Sequence, residues 1–418
     1  MSTDYKYRLL DQELAQVLQG NGMVLIEGPR ACGKTATTLQ HSASYVKLDT
    51  DEVALQLAQI DPKRLLQGEM PRGIDEWQLA PKLWNFARDE VDALGSIAKY
   101  IFTGSSVPRD DETRHSGAGR ADRLRMRPMS LYESGNSAGA VSLNGLVSGE
   151  KIPKLPVNEF PLDGLIEVLC RGGWPGLQNM QLELAQRRLR GYMGEIARVD
   201  IQNVGQTAHD PVRVSAVLAS IARNLATEAS HKKLLSDVGR LGPTSETTLR
   251  GYLADLERIF VLEPLPAWPT HLRSKDVVRQ SSKWHFVDPS LAVAAVGGKP
   301  GTLLNDLNYL GFLFESLVIR DLRIYSQVEE GNVWHYRDSS GLEVDAIVSY
   351  EFGKWAAVEV KLGIHDVDSA AKNLLKFVSK VDDSKVGKPG ALIVVVPGGW
   401  AYTREDGVHV VPINQMRH

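Results

Sequence analysis

The chain has 418 residues, of which 43% are apolar and 24% are charged, and its net charge is −3. This length predicts two or three domains, and the near-neutral charge excludes a surface that binds polyanions over the whole molecule. No apolar run reaches the length of a membrane span and the first ten residues are polar and charged, so we expect a cytoplasmic protein without a membrane partner. The two cysteines, Cys32 and Cys170, are far apart, which argues against a disulfide or zinc scaffold.

A glycine-rich loop after an apolar run is the first chemical motif. Residues 23–26 predict a buried parallel strand, residues 28–35 match G-x-x-x-x-G-K-[ST], and residues 36–40 can continue as a helix. Backbone N–H groups of such a loop point at phosphate oxygens, its lysine reaches the β- and γ-phosphates, and its threonine binds Mg²⁺. We therefore predict an ATP site formed by Gly28, Pro29, Arg30, Ala31, Cys32, Gly33, Lys34 and Thr35.

Two neighbouring carboxylates predict the remainder of this site. Asp75 is expected to bind Mg²⁺, directly or through water, and Glu76 to orient or polarise the attacking water as the catalytic carboxylate. Residues 70–73 make a poor central strand, so a surface acidic pair is the alternative. A third predicted strand, residues 100–103, leads to Ser105, which either contacts the nucleotide's γ-phosphate or belongs to an ordinary turn.

An arginine-rich segment follows, in which four acidic residues are interspersed. One of its arginines would complete a neighbouring subunit's nucleotide site as an arginine finger, and Arg120 is the first candidate. A solvated charged loop is the better interpretation for any single arginine. The arginines are Arg109, Arg114, Arg120, Arg123, Arg125 and Arg127.

The middle of the chain has the pattern of a winged helix. Apolar spacing predicts helices over residues 214–225, 231–238 and 244–259, and a strand over residues 260–265. The third helix of such a fold can enter the major groove of DNA. Because its arginines are offset by acidic residues, a winged helix used only for protein packing is the alternative, although residues 273–283 carry four cations and one acid.

The last third of the chain carries acidic residues in an α/β frame. The expected elements are a helix over residues 310–324, strands over 333–337, 344–348, 355–360 and 391–396, and a helix over 366–380. Asp345 and Glu359 lie on adjacent predicted strands with thirteen residues between them, and Glu315 lies on the preceding helix. Lys361 shares a strand face with Glu359, because side chains alternate along a strand.

These residues predict a metal-dependent nuclease site. Asp345 and Glu359 would bind Mg²⁺ or Mn²⁺, Glu315 would complete the acidic cluster, and Lys361 would position the nucleophile. Lys372 and Asn373 on the following helix would contact phosphates. An edge strand that carries alternating charges for solubility is the alternative.

The whole chain resembles the prokaryotic AAA+ ATPases that carry a C-terminal domain of unknown function with a restriction-endonuclease-like, PD-(D/E)xK core. The segments that carry the resemblance are residues 28–35, 74–78, 102–106, 119–120, 127–134, 171–175, 314–315, 343–345 and 358–361. One departure is Gly73, where the family pattern has a large apolar residue.

The resemblance implies an α/β multidomain protein that assembles as a ring or another homo-oligomer. Its expected parts are an AAA+ P-loop domain with a parallel sheet over residues 1–160, a helical and winged-helix region over 161–270, and a restriction-endonuclease-like α/β domain over 271–418.

Three functions remain open at this point. The first is an ATP-hydrolysing AAA+ enzyme coupled to a Mg²⁺-dependent DNA nuclease or DNA-processing tail, which the acidic residues favour. The second is an ATP-switched oligomeric regulator that binds DNA or a partner through an inactive nuclease-like domain, which the neutral charge favours. The third is an ATPase that remodels a partner without nucleic acid.

Overall fold

The computed structural model describes residues 5–94, 99–106, 119–153, 156–204, 209–239, 242, 244–269 and 281–418. They form two compact units. The first comprises residues 1–128 with the short segments 200–207 and 255–261, and the second comprises the remainder. In the described part of the chain, no helix is long and apolar enough to cross a membrane.

A parallel sheet forms the centre of the first unit. Its strands lie in the order β2-β3-β4-β1-β5, and every pairing is parallel. The structure therefore confirms the predicted parallel sheet, including a strand that ends at Asp75. The elements are α1 Leu10–Gly20, β1 Met23–Glu27, α2 Lys34–His41, β2 Ser44–Lys47, α3 Glu52–Ile60, α4 Pro62–Leu66, β3 Arg72–Asp75, α5 Leu83–Leu94, β4 Tyr100–Gly104 and β5 Ala121–Arg125.

The strand order places the predicted nucleotide residues at one edge of this sheet. Strands β1, β3 and β4 run side by side in the same direction, so their carboxyl ends meet there. The glycine-rich loop follows β1, Glu76 follows β3, and Ser105 follows β4. Ligands of open parallel sheets bind at such edges, beyond the carboxyl ends of the strands.

Gly73 is the residue that allows close packing on β3. A Cβ atom at this position would lie 2.7 Å from Ser42 Oγ, 2.7 Å from Thr38 Cγ2 and 2.9 Å from Tyr45 Cδ2. Helix α2 and strand β2 thus cover the space that a larger side chain would occupy. The departure from the family pattern is compensated by the neighbours, and β3 is buried between β2 and β4.

The second unit is built from helices that lead into a six-stranded mixed sheet. Its elements are β6 Val141–Ser142, α6 Leu143–Val147, α7 Leu162–Arg171, α8 Leu182–Glu195, α9 Pro211–Arg223, α10 His231–Val238, α11 Glu246–Arg258, α12 Pro289–Ala295, α13 Pro300–Leu304, α14 Leu307–Gln327, β7 Asn332–Arg337, β8 Glu343–Ser349, β9 Trp355–Val360, α15 Val367–Lys380, α16 Asp383–Val386, β10 Ala391–Val396, β11 Tyr402–Thr403, β12 His409–Pro412 and β13 Met416–Arg417. Residues 255–258 of α11 belong to the first unit.

The six strands lie in the order β11-β12-β10-β9-β8-β7. Strand β8 is antiparallel to both β7 and β9, whereas β10 is parallel to β9 and β12. Aromatic side chains join this sheet to α15, since the Trp355 ring lies 5.0 Å from that of Trp268 and 6.0 Å from that of Phe377. The predicted helices and strands of this region are all present.

The middle of the chain differs from the winged-helix prediction in one element. Helices α9, α10 and α11 occupy the predicted positions, but residues 260–265 do not form a strand. Two isolated antiparallel bridges, Leu262 with Phe286 and Leu265 with Lys283, are found instead. Pro264 has no N–H to donate to a longer ladder.

Arg320 is a fully buried cation in the second unit. Its guanidinium donates to Asp288 at 2.8 Å and to Asp321 at 2.7 Å. Asp321 also accepts from the backbone N–H of Leu131 at 3.0 Å, and Asp288 accepts from that of Ser290 at 2.9 Å. The Arg320 charge is thus compensated by its neighbour Asp321 and by Asp288, 32 residues away along the chain.

The turn after α7, at residues 172–176, packs against the same network. A Cβ atom on Gly173 would lie 2.1 Å from the backbone oxygen of Met129, so only glycine fits. The N–H of Gly173 donates to Asp288 at 2.9 Å, and Trp174 Nε1 donates to Ser290 Oγ at 3.0 Å. This turn, which the sequence marks without assigning a role, therefore stabilises the fold.

Asp288→Ala is expected to destabilise the second unit by about 3–5 kcal/mol, because it leaves a buried guanidinium without one of its carboxylates. Urea unfolding followed by tryptophan fluorescence measures the change. Glu405→Ala, which removes an exposed carboxylate, is the matched control. Equal unfolding midpoints for the two variants would contradict this role for Asp288.

Candidate functional site

Both glycines of the loop at residues 28–35 are required by its geometry. Gly33 has φ of 116°, in the region that favours glycine, and directly precedes α2. A Cβ atom on Gly28 would lie only 2.0 Å from the backbone oxygen of Met126. Ala31 also has a positive φ, 63°, so the loop turns tightly between the two glycines.

Lys34 and Arg8 hold this loop in shape. Lys34 Nζ donates to the backbone oxygens of Gly28 at 2.9 Å and Pro29 at 2.8 Å, and the side chain is buried. Arg8 donates to the backbone oxygen of Cys32 at 2.7 Å. The predicted phosphate-binding lysine thus lies over the loop that carries it, at the N-terminus of α2.

Asp75 is fully buried and accepts three side-chain hydroxyl groups. Thr35 Oγ1 and Tyr45 OH each donate to Asp75 Oδ2 at 2.8 Å, and Thr103 Oγ1 donates to Asp75 Oδ1. The three donors come from α2, β2 and β4. Burial and the Asp75 carboxylate raise the pKa of Tyr45, which keeps its hydroxyl protonated and donating.

Glu76 has a left-handed backbone conformation with φ of 54°, which is uncommon outside glycine. Its carboxylate accepts from Ser105 Oγ at 3.0 Å and from Gln78 Nε2. The side-chain oxygen of Gln78 is buried and accepts no hydrogen bond from the residues that the structure describes. Glu76, Gln78 and Ser105 are therefore hydrogen-bonded to one another, and the expected contact of Ser105 with the γ-phosphate stays a prediction.

Arg30, Arg120 and Arg123 form ion pairs with carboxylates other than Asp75 and Glu76. Arg30 forms an ion pair with Asp200 at 3.0 Å, and Arg120 forms one with Asp92 at 2.6 Å on the surface. Arg123 pairs with Glu27, at the end of β1, at 2.5 Å. The finger role of Arg120 stays a prediction. Arg109 and Arg114 lie outside the described residues.

Thr35 and Asp75 fit a magnesium ion. Their oxygens lie 2.8 Å apart beside the phosphate loop, and hydroxyl and carboxylate oxygens are the ligands that Mg²⁺ prefers. Tyr45, Thr103 and Gln78 are the residues that sequence reasoning missed. Gln78 stands two positions after Glu76 and was detectable, whereas Tyr45 and Thr103 became relevant only through the strand order.

The predicted nuclease residues converge in the second unit. Lys361 Nζ lies 2.6 Å from Glu359 Oε2 and 3.5 Å from Asp345 Oδ2. Asp345 also accepts from the backbone N–H of Val360 at 2.8 Å. Asn373, expected to contact phosphate, instead donates to Glu359 Oε1 at 2.8 Å. The side chains thus meet as the spacing predicts.

A second lysine, which the sequence did not indicate, enters this cluster. Lys283 Nζ lies 2.8 Å from Glu315 Oε1 and 3.9 Å from Asp345 Oδ1. Glu315 is consequently paired with a lysine through Oε1. Among the described residues, no group of three or more His, Cys, Asp or Glu side chains is arranged to hold a metal ion.

The carboxylates of the cluster have shifted acidities. Burial and the nearby Asp345 charge raise the pKa values of Glu315 and Glu359 to about 7. For Lys283 and Lys361, burial lowers the pKa but the surrounding carboxylates raise it more, so both ammonium groups stay charged. The cluster therefore combines two charged lysines with two glutamates, Glu315 and Glu359, whose pKa values are raised.

Three segments of the chain match models of protein families. Residues 20–135 match a family described as an AAA domain. Residues 162–302 and 310–416 match two families described as domains of unknown function, DUF8612 and DUF4143. No curated protein matches the chain in sequence. With the loop geometry above, the first match makes the N-terminal region a P-loop AAA-type ATPase domain.

Several solved structures are similar to this chain, all at low identity. The Walker-type ATPase paby2304 of Pyrococcus abyssi has 14% identity and a TM-score of 0.44, with 70% of this chain and 97% of that chain covered. The replication initiator DnaA bound to AMPPCP and single-stranded DNA has 11% identity and a TM-score of 0.29, covering 62% and 93%. RuvB of Thermotoga maritima has 14% identity and a TM-score of 0.27, covering 61% and 88%. At these identities and TM-scores, the similarity does not indicate a function for this chain.

Tyr45→Phe is expected to lower kcat for ATP hydrolysis about three- to tenfold and to leave KM within about twofold. The substitution keeps the ring but removes one of the hydroxyl groups that orient Asp75, whereas the phosphate loop is untouched. Phosphate release measured over a range of ATP concentrations separates the two constants. Tyr7→Phe, at an exposed tyrosine, is the control, and an unchanged kcat in Tyr45→Phe would refute the role.

Proposed function

We propose that this P-loop AAA-type ATPase hydrolyses ATP with Mg²⁺ and is itself a regulator. Its ATP cycle switches how its second unit binds a partner. The observation that carries the proposal is the contact between Thr35 and Asp75 at 2.8 Å. It joins the phosphate loop to the carboxylate that a magnesium–nucleotide complex requires.

In this proposal, the loop binds ATP and the two carboxylates have separate roles. Backbone N–H groups of residues 28–35 and the N-terminus of α2 bind the phosphates, and Lys34 offsets their charge. Thr35 and Asp75 hold Mg²⁺, which stabilises charge on the phosphates when it is bound. Tyr45 and Thr103 fix the orientation of the Asp75 carboxylate.

Glu76 is the proposed general base. A positioned carboxylate that orients the attacking water contributes about 10²–10⁴-fold to the rate. Its hydrogen bonds from Ser105 and Gln78 hold it at the carboxyl edge of the sheet, next to the phosphate loop. Gln78 has a free acceptor oxygen among the described residues and supplies a second contact for that water.

The second unit favours binding over DNA cleavage. A nuclease of the predicted type needs carboxylates that are open to a divalent ion. Here Glu315 is paired with Lys283, a lysine that the predicted nuclease site does not include. We therefore prefer the interpretation of an inactive nuclease-like domain, with Glu315, Asp345, Glu359 and Lys361 in a structural cluster.

A protein is the preferred partner, with DNA as the alternative. The arginines of α11 are matched by acids on the same helix, Arg250 with Glu246 at 2.7 Å and Arg258 with Asp255 at 3.5 Å. A helix that contacts phosphates needs an excess of positive charge. Of the basic residues near 273–283, Arg273, Lys275 and Arg279 lie outside the described residues, and Lys283 is buried.

Oligomerisation is part of the proposal. An arginine finger acts across a subunit boundary, and Arg120 lies on the surface at the start of β5. Light scattering with ADP and with a non-hydrolysable ATP analogue, on wild type and Arg120→Ala, tests whether assembly depends on nucleotide. Phosphate release from ATP by the same two proteins tests whether turnover needs this arginine.

Lys34→Ala is expected to abolish ATP turnover while the protein stays folded, because the lysine is the charged group of the phosphate loop. Phosphate release and thermal unfolding are the two measurements. Lys232→Ala removes an exposed lysine and serves as the control. Normal ATP turnover in Lys34→Ala would contradict the assignment of ATP binding to the loop at residues 28–35.

Glu76→Gln is expected to bind ATP but to hydrolyse it about 10²–10⁴-fold more slowly, because a carboxamide cannot take a proton from water. This variant also tests the switch, since it holds the ATP-bound state. Fluorescence anisotropy with labelled DNA at two salt concentrations then identifies the partner class. Binding of the labelled DNA that weakens steeply with salt would indicate that the partner is DNA and not a protein.

A further inference from the structure

Lys283 is fixed in place by its backbone. Its N–H donates to the backbone oxygen of Leu265 at 2.9 Å, and its own oxygen accepts from the N–H of Leu265 at 2.8 Å. Only 7% of the side chain is exposed. The ammonium group therefore reaches the acidic cluster from a segment held against its neighbour, and not from a solvated loop.

Each of the two lysines lies near a different oxygen of the Asp345 carboxylate. Lys283 lies 3.9 Å from Asp345 Oδ1, and Lys361 lies 3.5 Å from Asp345 Oδ2. Each lysine has a closer carboxylate of its own, Glu315 for Lys283 and Glu359 for Lys361. The five side chains thus alternate in charge, from Glu315 through Asp345 to Glu359.

This alternation leaves little attraction for a divalent cation. Three carboxylates face two ammonium groups, so at most one negative charge remains uncompensated. A divalent ion needs about six oxygen ligands at roughly 2.0–2.6 Å. The ammonium group of Lys283, within hydrogen-bonding distance of Glu315, repels a divalent ion.

We propose that Lys283 is a built-in counter-cation that takes the place of a metal ion, and that removal of its charge converts the cluster into a divalent-cation site. The wild-type cluster then binds no Mg²⁺ or Mn²⁺. This inference deepens the proposal that the second unit does not cut DNA, and it is independent of the nucleotide site.

The test is a titration with Mn²⁺ in the absence of nucleotide, followed by the loss of the free-ion EPR signal. Lys283→Met keeps the apolar stem and removes the charge. We expect this variant to bind one Mn²⁺ more than wild type. Lys283→Arg keeps the charge and should behave as wild type.

Two further variants locate the ion. Lys283→Met combined with Asp345→Asn should lose the added site, because Asp345 supplies the central oxygens. Lys376→Met, at an exposed lysine on α15, is the matched control and should bind no additional ion. Circular dichroism and thermal unfolding establish that each variant is folded.

The proposal fails if wild type already binds an Mn²⁺ ion that Asp345→Asn removes. It also fails if folded Lys283→Met gains no ion. If Lys283→Met does not fold, the comparison of wild type with Asp345→Asn decides: equal Mn²⁺ binding supports the counter-cation, and a difference overturns it. Failure here leaves the ATPase proposal standing, since Lys34→Ala tests that separately.

Discussion

Buried charge with a complete set of partners is the constraint on which the second unit depends. Arg320 lies between Asp288 and Asp321, and these two carboxylates also bind backbone N–H groups of Gly173 and Leu131. Removing any member leaves a charge or a polar group without compensation in a region that excludes water. The helices that carry these residues are therefore held in one arrangement, and that arrangement positions the face of α14 that presents Glu315.

The nucleotide site shows the same physical logic at smaller scale. Asp75 is not exposed to solvent, and three hydroxyl groups donate hydrogen bonds to its carboxylate. Because hydroxyl groups are uncharged, they leave the negative charge of Asp75 uncompensated. The acidic cluster of the second unit is satisfied by ammonium groups, which do neutralise it. Two groups of buried carboxylates thus differ in whether charge remains for a divalent ion. This difference distinguishes the first unit from the second unit, which we propose to bind a partner.

The sequence predicted what depends on neighbours in the chain. The strand, glycine loop and helix around residues 28–35 are local, and the apolar run at 355–360 coincides with β9, Trp355–Val360. It did not predict Tyr45 or Lys283, because their roles arise from partners that lie 30 and 32 residues away along the chain. The prediction of a strand at 260–265 was wrong, because Pro264 has no N–H and interrupts the hydrogen bonding of this segment. The winged-helix and nuclease-like folds, and the roles of the site residues, stay predictions.

The packing of β3 depends on the residues at two positions, Gly73 and Tyr45. The aromatic ring of Tyr45 lies where a side chain at position 73 would extend, and its hydroxyl reaches Asp75 across that space. A relative with a bulky residue at position 73 has no room for this tyrosine, so the aspartate that corresponds to Asp75 must be held by other donors. The two positions should therefore vary together among related chains, with glycine accompanied by an aromatic hydroxyl and a large residue accompanied by a smaller neighbour.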